Sequence, residues 1–249
     1  MKKILFALSI FLLFSGTSFA QFYVGTDLSF MTLQHSTYMS NVNLINSNSD
    51  YYASQRRHEK NKRSSKGSNE YDAPANPKSF LFVPQAQTSA KIKQSIIANN
   101  KKKNPNSKLG EALNDRNNPY PNYVKLLKSL GLDVEHDYAD AFTAYLLGMW
   151  RIANKMSANP SKQQIQYVRN QVLSVTDVRQ WTNTQKQEAT EYLMYNLIFA
   201  NEPYEGSRLS RNQKQWQEDA DAVQQRFLRE NNMDLRKMTI SENGLTQRR

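Results

Sequence analysis

The sequence predicts a mostly α-helical fold: one helical-bundle domain that follows a signal peptide and a disordered basic arm. Three observations carry this prediction. From about residue 89 onward, apolar residues recur every three to four positions, the period of a helix with one buried face. Glycine is scarce, with 8 among 249 residues, and hairpin turn pairs are limited to Asn243-Gly244, which argues against a sheet fold. A polar, basic stretch precedes the helical pattern.

The first twenty residues have the three-part layout of a secretory signal peptide. Lys2 and Lys3 give a positive start, an apolar run follows over residues 4–14, and Ser18-Phe19-Ala20 places small residues before a cut after Ala20. The apolar run is shorter than the roughly 20 residues that span a bilayer. An uncleaved membrane anchor is the alternative. We expect cleavage, no transmembrane segment in the mature chain, and a periplasmic or secreted location in a bacterium.

The net charge of +11 is concentrated in one stretch of the chain. Residues 53–103 contain twelve Lys or Arg against three acidic residues. Residues 51–78 have almost no aliphatic side chain, so they cannot bury enough surface to offset the entropy of ordering. We therefore expect a low-order arm over residues 21–78, rich in Lys, Arg, Asn and Ser, and a helical domain over residues 79–245.

The basic side chains of this stretch are candidates for binding a polyanion, such as nucleic acid, lipopolysaccharide or an acidic membrane face. A solvated spacer is the plainer alternative, and it is favoured because aromatic residues are not interleaved with the charges as in single-strand binders. The candidate polyanion-binding residues are Arg56, Arg57, Lys60, Lys62, Arg63, Lys66, Lys101, Lys102 and Lys103.

The domain begins with an extended entry segment over residues 79–84, in which Phe80 and Phe82 point the same way. Three short helices are expected after it, over residues 89–99, 108–113 and 120–130, and Gly131 closes the third. The strongest helix covers residues 137–156. Asp137 is its N-cap, Asp140 adds a negative charge to its first turn, and it is apolar on most sides, which places it centrally in the bundle.

The later helices are marked by their starts and stops. Asn159-Pro160 is expected to open one helix, and Thr184 with Gln187 is a capping-box candidate for another, which Pro203 should end or kink. A last long helix is expected over residues 210–231, with a buried stripe formed by Trp216, Ala220, Val223 and Phe227. A short apolar segment closes the domain. The chain has no cysteine, so its core must hold it without disulfides.

Several spaced motifs resemble a bacterial family known as domain of unknown function 6683, over roughly residues 80–245. The motifs are Gly131-Leu132, Ala139-Asp140-Ala141 with Tyr145 and Trp150, Val168-Arg169-Asn170-Gln171, Gln187-Glu188 to Tyr192, and Asp234-Leu235 to Gly244-Leu245. They consist mainly of spaced hydrophobic and small residues, so the resemblance implies a fold. It assigns no residue a catalytic or binding role, and the basic arm lies outside it.

The start of the central helix offers a possible cation site. His136 and Asp140 are four residues apart, with Asp133, Glu135 and Asp137 nearby, and imidazole and carboxylates on successive turns can bind metals. The favoured interpretation is structural: Asp137 caps the helix, Asp140 complements the helix dipole, and His136 is solvated. Buried Asp140 or Asn196 should then bond to backbone or to a neighbouring helix. We expect no metal and no cofactor.

Carboxylates are the remaining candidates for catalysis. Glu188 and Glu191 lie one turn apart, and a second cluster contains Glu218, Asp219 and Asp221; paired carboxylates across a cleft could hydrolyse glycosides. Acids in the first turn of a helix are expected on structural grounds. No phosphate-binding loop, nucleophile elbow or zinc-protease motif is present.

The sequence thus favours a non-catalytic interaction or structural module of the bacterial envelope, with a possible anionic polymer or protein partner. A hydrolase of an envelope polymer, using Glu188, Glu191 or Asp140 as acid and base, is the alternative. An exported toxin or effector is a third option, which no feature of the sequence specifically supports.

Overall fold

The computed structural model of the protein describes residues 76–114 and 118–248. The predicted signal peptide and residues 21–75 of the predicted arm lie outside these residues. So do six of the nine polyanion-binding candidates, Arg56, Arg57, Lys60, Lys62, Arg63 and Lys66. Within the described residues, the prediction of a mostly α-helical single domain is confirmed.

Seven α-helices and one hairpin make up the described part of the chain. After a 3-10 turn (Pro77–Phe80) they are α1 (Ala86–Lys103), α2 (Leu109–Asn114), α3 (Tyr120–Ser129), α4 (Tyr138–Ala153), α5 (Lys162–Val175), α6 (Asn183–Leu209), α7 (Gln213–Asn231) and, after a second 3-10 turn (Leu235–Lys237), β1 (Met238–Ser241) and β2 (Gly244–Gln247). None of these helices is both long and apolar enough to cross a membrane.

The centre of the bundle is α4, as the sequence predicts. Every residue of α4 except Gly148 is buried, and the helix packs against α5, α6 and α7. Its predicted N-cap is confirmed, because the Asp137 side chain accepts a hydrogen bond of 2.8 Å from the Ala139 N–H. Each large apolar side chain buried here stabilises the fold by about 1.5–3 kcal/mol.

The predicted extended entry segment over residues 79–84 is confirmed in part: Ser79 and Phe80 lie in the 3-10 turn, and the chain is extended at Leu81, which forms a bridge with Asp137. Phe80 and Phe82 are buried, whereas the intervening Leu81 is exposed. The Phe82 N–H donates to the His136 carbonyl at 2.9 Å. On the other edge, the Asn183 side-chain amide accepts from the Val83 N–H at 2.7 Å and donates to the Val83 carbonyl at 2.8 Å. The segment is thus hydrogen-bonded on both edges and leads directly into α1.

The predicted start of α5 at Asn159-Pro160 is wrong. Ser161 is the N-cap: its Oγ accepts from the Gln164 N–H at 3.2 Å, and the Gln164 side chain accepts in return from the Ser161 N–H at 2.9 Å. This reciprocal capping box satisfies two backbone donors at once, which a lone Asn followed by Pro cannot do.

The predicted capping box of Thr184 and Gln187 is also wrong. Thr182 caps α6 instead, with the reciprocal bonds to Gln185 at 3.2 Å and 2.8 Å. Both pairs have the same spacing and chemistry. The choice between them is settled by burial, since Gln187 is fully buried and bonds to the entry segment rather than to the start of its own helix.

Pro203 is expected to end or kink its helix near Glu202, and the first alternative is wrong, because α6 continues through Pro203 to Leu209. A proline inside a helix costs about 3 kcal/mol. The turn that follows it is well packed: Tyr204 is fully buried, with its ring centroid 5.9 Å from that of Trp216. Burial of Pro203 and Tyr204 offsets part of this cost.

The short closing segment forms a β-hairpin, which its apolar pattern alone does not predict. Strands β1 and β2 pair antiparallel, and Ser241 faces Gly244 across the turn. Gly244 has φ +87°, a conformation that favours glycine. The buried Gln171 side chain of α5 holds this hairpin: its amide donates to the Leu245 carbonyl at 3.1 Å and accepts from the Leu245 N–H at 2.8 Å.

Candidate functional site

A groove with a volume of about 430 Å³ lies where α1 and α6 meet the start of α3 and the loop before α4. Pockets for small ligands and short segments commonly have volumes of about 300–1,000 Å³. The groove is lined by apolar residues and by a smaller set of polar and aromatic side chains. That set includes Ser89, Lys93, Tyr120, Glu135, Thr190, Glu191 and Tyr195, and the whole cavity is here called the Glu191 groove.

Glu191 is the buried carboxylate of this groove, with 7% of its surface exposed. Ser89 Oγ donates to Glu191 Oε1 at 2.5 Å, and Gln187 Nε2 donates to the same oxygen at 2.8 Å. Burial raises the pKa of Glu191, the two hydrogen bonds partly oppose this, and nearby Glu188 adds to the rise in pKa. The carboxylate is therefore more easily protonated than an exposed glutamate.

Gln187 fixes the position of Glu191 relative to α1. Its side chain accepts from the Gln85 N–H and donates to the Gln85 carbonyl, both at 2.9 Å, and it also donates to Ser89 Oγ at 3.0 Å. The first residues of α1 are thereby tied to α6. The groove wall is rigid at this point because each of these groups is held by at least one other.

Thr190 carries an unsatisfied hydroxyl on the groove wall. The residue is 1% exposed, and its Oγ1 has no hydrogen-bond partner within the described residues. Buried Thr143 in α4 behaves differently, because its hydroxyl donates to the Ala139 carbonyl at 2.7 Å. Buried polar groups without partners are rare in folded proteins and call for an explanation such as a bound group.

Two tyrosines form the aromatic side of the groove. The ring centroids of Tyr120 and Tyr195 are 5.0 Å apart and the rings are tilted by 44°. Burial and the nearby Glu191 raise the pKa of Tyr195 to about 12. The pKa of Tyr120 is also raised, chiefly by burial and then by Glu191, Tyr195 and Glu135. Both phenols therefore keep their protons at neutral pH.

Of the predicted acid pair, only Glu191 lines the groove, and Glu188 does not. The second carboxylate on the wall is Glu135, from the loop before α4. Sequence reasoning missed Ser89, Thr190 and the tyrosines as site residues. No local signal could have found them, because Ser89 and Glu191 are 102 positions apart.

The possible cation site at the start of α4 is occupied by an arginine. Arg169 of α5 forms an ion pair with Asp137 at 2.8 Å and another with Asp140. Asp140 also accepts from the Asp133 N–H at 2.6 Å, which confirms the prediction that it bonds to backbone or to a neighbouring helix. His136 bonds to Asp133 at 3.0 Å. Over the described ranges, no three His, Asp or Glu side chains are grouped so as to hold a metal ion.

The predicted acidic cluster of α7 is divided among separate partners. Glu218 pairs with Lys214 at 3.9 Å, Asp219 accepts from Ser207 at 2.7 Å, and Asp221 pairs with Arg236 at 2.5 Å. These three carboxylates therefore hold local structure and do not face one cleft.

The basic candidates that fall in the described residues lie at one place. Lys101 and Lys102 are exposed in the last turn of α1, and Lys103 ends that helix. Cations are stabilised at the carboxyl end of a helix by its dipole, so this position has a structural explanation as well as a binding one. The two exposed lysines can reach an anion in solution.

No family model matches the chain, and neither a curated protein nor a solved structure similar to it was found. The resemblance over residues 80–245 therefore stays a prediction.

Proposed function

We propose that this chain is a non-catalytic interaction module of the bacterial envelope, that the Glu191 groove holds its partner, and that the basic arm tethers it to anionic polymers. One observation supports the groove as the binding site: a cavity of about 430 Å³ whose wall includes one buried polar group, the Thr190 hydroxyl, without a hydrogen-bond partner among the described residues. Such a group costs free energy unless a bound partner satisfies it, so its presence favours a binding role.

The proposed attachment of the basic arm to anionic polymers is supported by the positive charge of the chain. Six of the candidate basic residues precede the domain in sequence, and exposed Lys101 and Lys102 add two more charges on α1. α1 itself contains no acidic residue to offset its lysines. A cationic surface of this kind binds polyanions by releasing their counterions, without recognising their sequence.

The tether is tested by titrating the chain without residues 1–20 against lipopolysaccharide and against double-stranded DNA. We expect binding that weakens by about a hundredfold or more between 50 and 200 mM salt, because several counterions are released on association. The matched variant replaces the six basic residues between 56 and 66 with glutamine and should lose most of the affinity. The proposal that the basic arm binds anionic polymers is contradicted if no binding is measured, or if the affinity does not change with salt concentration.

A hydrolase of an envelope polymer is the second candidate, and one observation favours it. Glu191, whose pKa is raised, shares its groove with a second carboxylate, Glu135. Inverting glycosidases use such a set: a protonated acid gives its proton to the leaving oxygen, while the other carboxylate takes a proton from the attacking water.

This candidate is tested by incubating the protein with peptidoglycan and envelope polysaccharides and measuring released fragments. If it is correct, Glu191→Gln and Glu135→Gln each lower the rate by about a hundredfold or more. The matched control is Glu188→Gln, which should have little effect because Glu188 does not line the groove. Tight binding without release of fragments counts against the hydrolase and for the interaction module.

A further inference from the structure

We infer that the Glu191 groove binds a cationic group, an alkylammonium or guanidinium, between the carboxylates of Glu191 and Glu135 and beside the rings of Tyr120 and Tyr195. This inference rests on the proposed interaction function and specifies the chemistry of its ligand.

The first support is a buried charge without a counter-charge. Three carboxylates are buried among the described residues: Asp137, Asp140 and Glu191. Asp137 and Asp140 share Arg169. Glu191 forms no ion pair within the described part of the chain, and its donors are the neutral side chains of Ser89 and Gln187. A buried carboxylate is costly unless it is paired, and Glu191 lacks the ion-pair partner that Arg169 provides for the other two buried acids.

The geometry of the hydrogen bonds leaves room for that cation. Ser89 and Gln187 both bond to Oε1 of Glu191, and Oε2 makes no hydrogen bond with the described residues. Glu135 on the facing loop is exposed and likewise has no ion pair there. One oxygen of a rigidly held carboxylate and a second carboxylate thus remain available on the groove wall.

Thr190 is the second, independent observation. Thr190 lines the same groove, and its buried Oγ1 has no partner among the described residues. An ammonium group carries three N–H donors and a guanidinium five, and neither has an acceptor. Glu191, Glu135 and Thr190 offer three acceptors, the number that an ammonium needs.

The aromatic walls fit the same ligand. Tyr120 and Tyr195 lie together at the groove, and cations are attracted to the faces of aromatic rings, with a larger gain where water is excluded. An anionic ligand would be repelled by the two carboxylates of Glu191 and Glu135 and attracted by one positive charge, that of Lys93. The charge balance therefore selects a cation.

The test is calorimetric titration of the chain without residues 1–20 with three probes of similar size: acetyl-lysine amide, acetyl-norleucine amide and acetyl-glutamate amide. We expect only the lysine probe to bind. Glu191→Gln should weaken it by about tenfold or more, while the control Glu188→Gln, which removes a nearby carboxylate outside the groove lining, should weaken it much less. Glutamine keeps the Oε1 acceptor for Ser89 and Gln187, so an unchanged or higher unfolding temperature shows that the variant is folded.

The cation has two sources, a separate ligand or the basic arm of this chain, and a further variant distinguishes them. Replacing the six basic residues between 56 and 66 with glutamine should strengthen binding of the lysine probe if the arm competes for the groove. Equal affinity indicates a separate ligand. Both results support a cation site.

The outcomes that overturn the inference differ from those that overturn the proposed function. If the norleucine or glutamate probe binds more tightly than the lysine probe, the inference of a cation site is wrong, although the groove is still a binding site. If no probe binds either the unchanged chain or the arm variant, the cation site and the groove as a binding site are both rejected.

Discussion

Replacing Arg169 with methionine is expected to lower the free energy of unfolding at pH 7 by about 3–5 kcal/mol. Arg169 is the shared counter-charge of Asp137 and Asp140, two buried carboxylates at the first turn of the central helix. Methionine fills much of the same space and leaves both charges unpaired. The loss is measured by urea denaturation, followed by the far-ultraviolet circular dichroism of the helices.

The loss should depend on pH in a defined direction. Burial and the neighbouring Asp140 already raise the pKa of Asp137, and Arg169 opposes that rise in pKa. Without Arg169 the folded-state pKa rises further above the unfolded value of about 3.9, so the folded state binds more protons. The variant is therefore destabilised most at pH 7, and the difference from the unchanged chain narrows as the pH falls toward 4.

Arg179→Met is the matched control for this prediction. Arg179 pairs with Asp177 at 2.8 Å, but their side chains are 60% and 56% exposed. An exposed ion pair contributes about 0–1 kcal/mol, so this variant should unfold close to the unchanged chain. If Arg169→Met costs no more than Arg179→Met, or costs the same at pH 7 and pH 4, the two aspartates do not depend on Arg169.

Replacing Gly244 with alanine is expected to lower the free energy of unfolding by about 3 kcal/mol, from two causes. The backbone φ of +87° costs any residue with a Cβ about 1–2 kcal/mol. The added Cβ would also lie 2.4 Å from Gln171 Oε1 and 2.7 Å from Gln171 Cβ. Gln171 must then move and release the buried backbone groups of Leu245.

Gly131→Ala separates the two causes. Gly131 has φ +90°, but an added Cβ would meet no atom within 4 Å. This variant therefore measures the backbone cost alone, about 1–2 kcal/mol. Equal losses at the two positions, by thermal or urea unfolding, would show that the contact between Gly244 and Gln171 does not hold the hairpin.

Helices that are defined by local patterns could be predicted from the sequence. Asp137 and the apolar stripe after it predict α4 because a cap and a buried face both act within a few residues. The predicted starts of α5 and α6 are each wrong by two residues, since Asn159 and Ser161, or Thr182 and Thr184, are equally good caps by chemistry. Tertiary burial decides between them, and it is not visible in a local window.

The groove could not be predicted for a related reason. Its geometry depends on pairs such as Ser89 with Glu191 and Gln85 with Gln187, each separated by 102 positions. The sequence identifies Glu191 as a candidate carboxylate, but it suggests Glu188, one turn away in the same helix, as its partner. In the fold, that neighbour lies off the groove wall, and a loop residue nearly sixty positions away stands there instead.

The entry segment belongs to two parts of the molecule at once. Phe82 and Pro84 line the groove, and the same stretch of backbone follows six of the candidate basic residues in the sequence. Suppose that a ligand in the groove changes the affinity of the upstream basic residues for an anionic polymer. By thermodynamic linkage, the polymer then changes the affinity of the groove for that ligand by the same factor. Under the proposed function, the chain that joins these two parts would couple polymer attachment to occupancy of the groove.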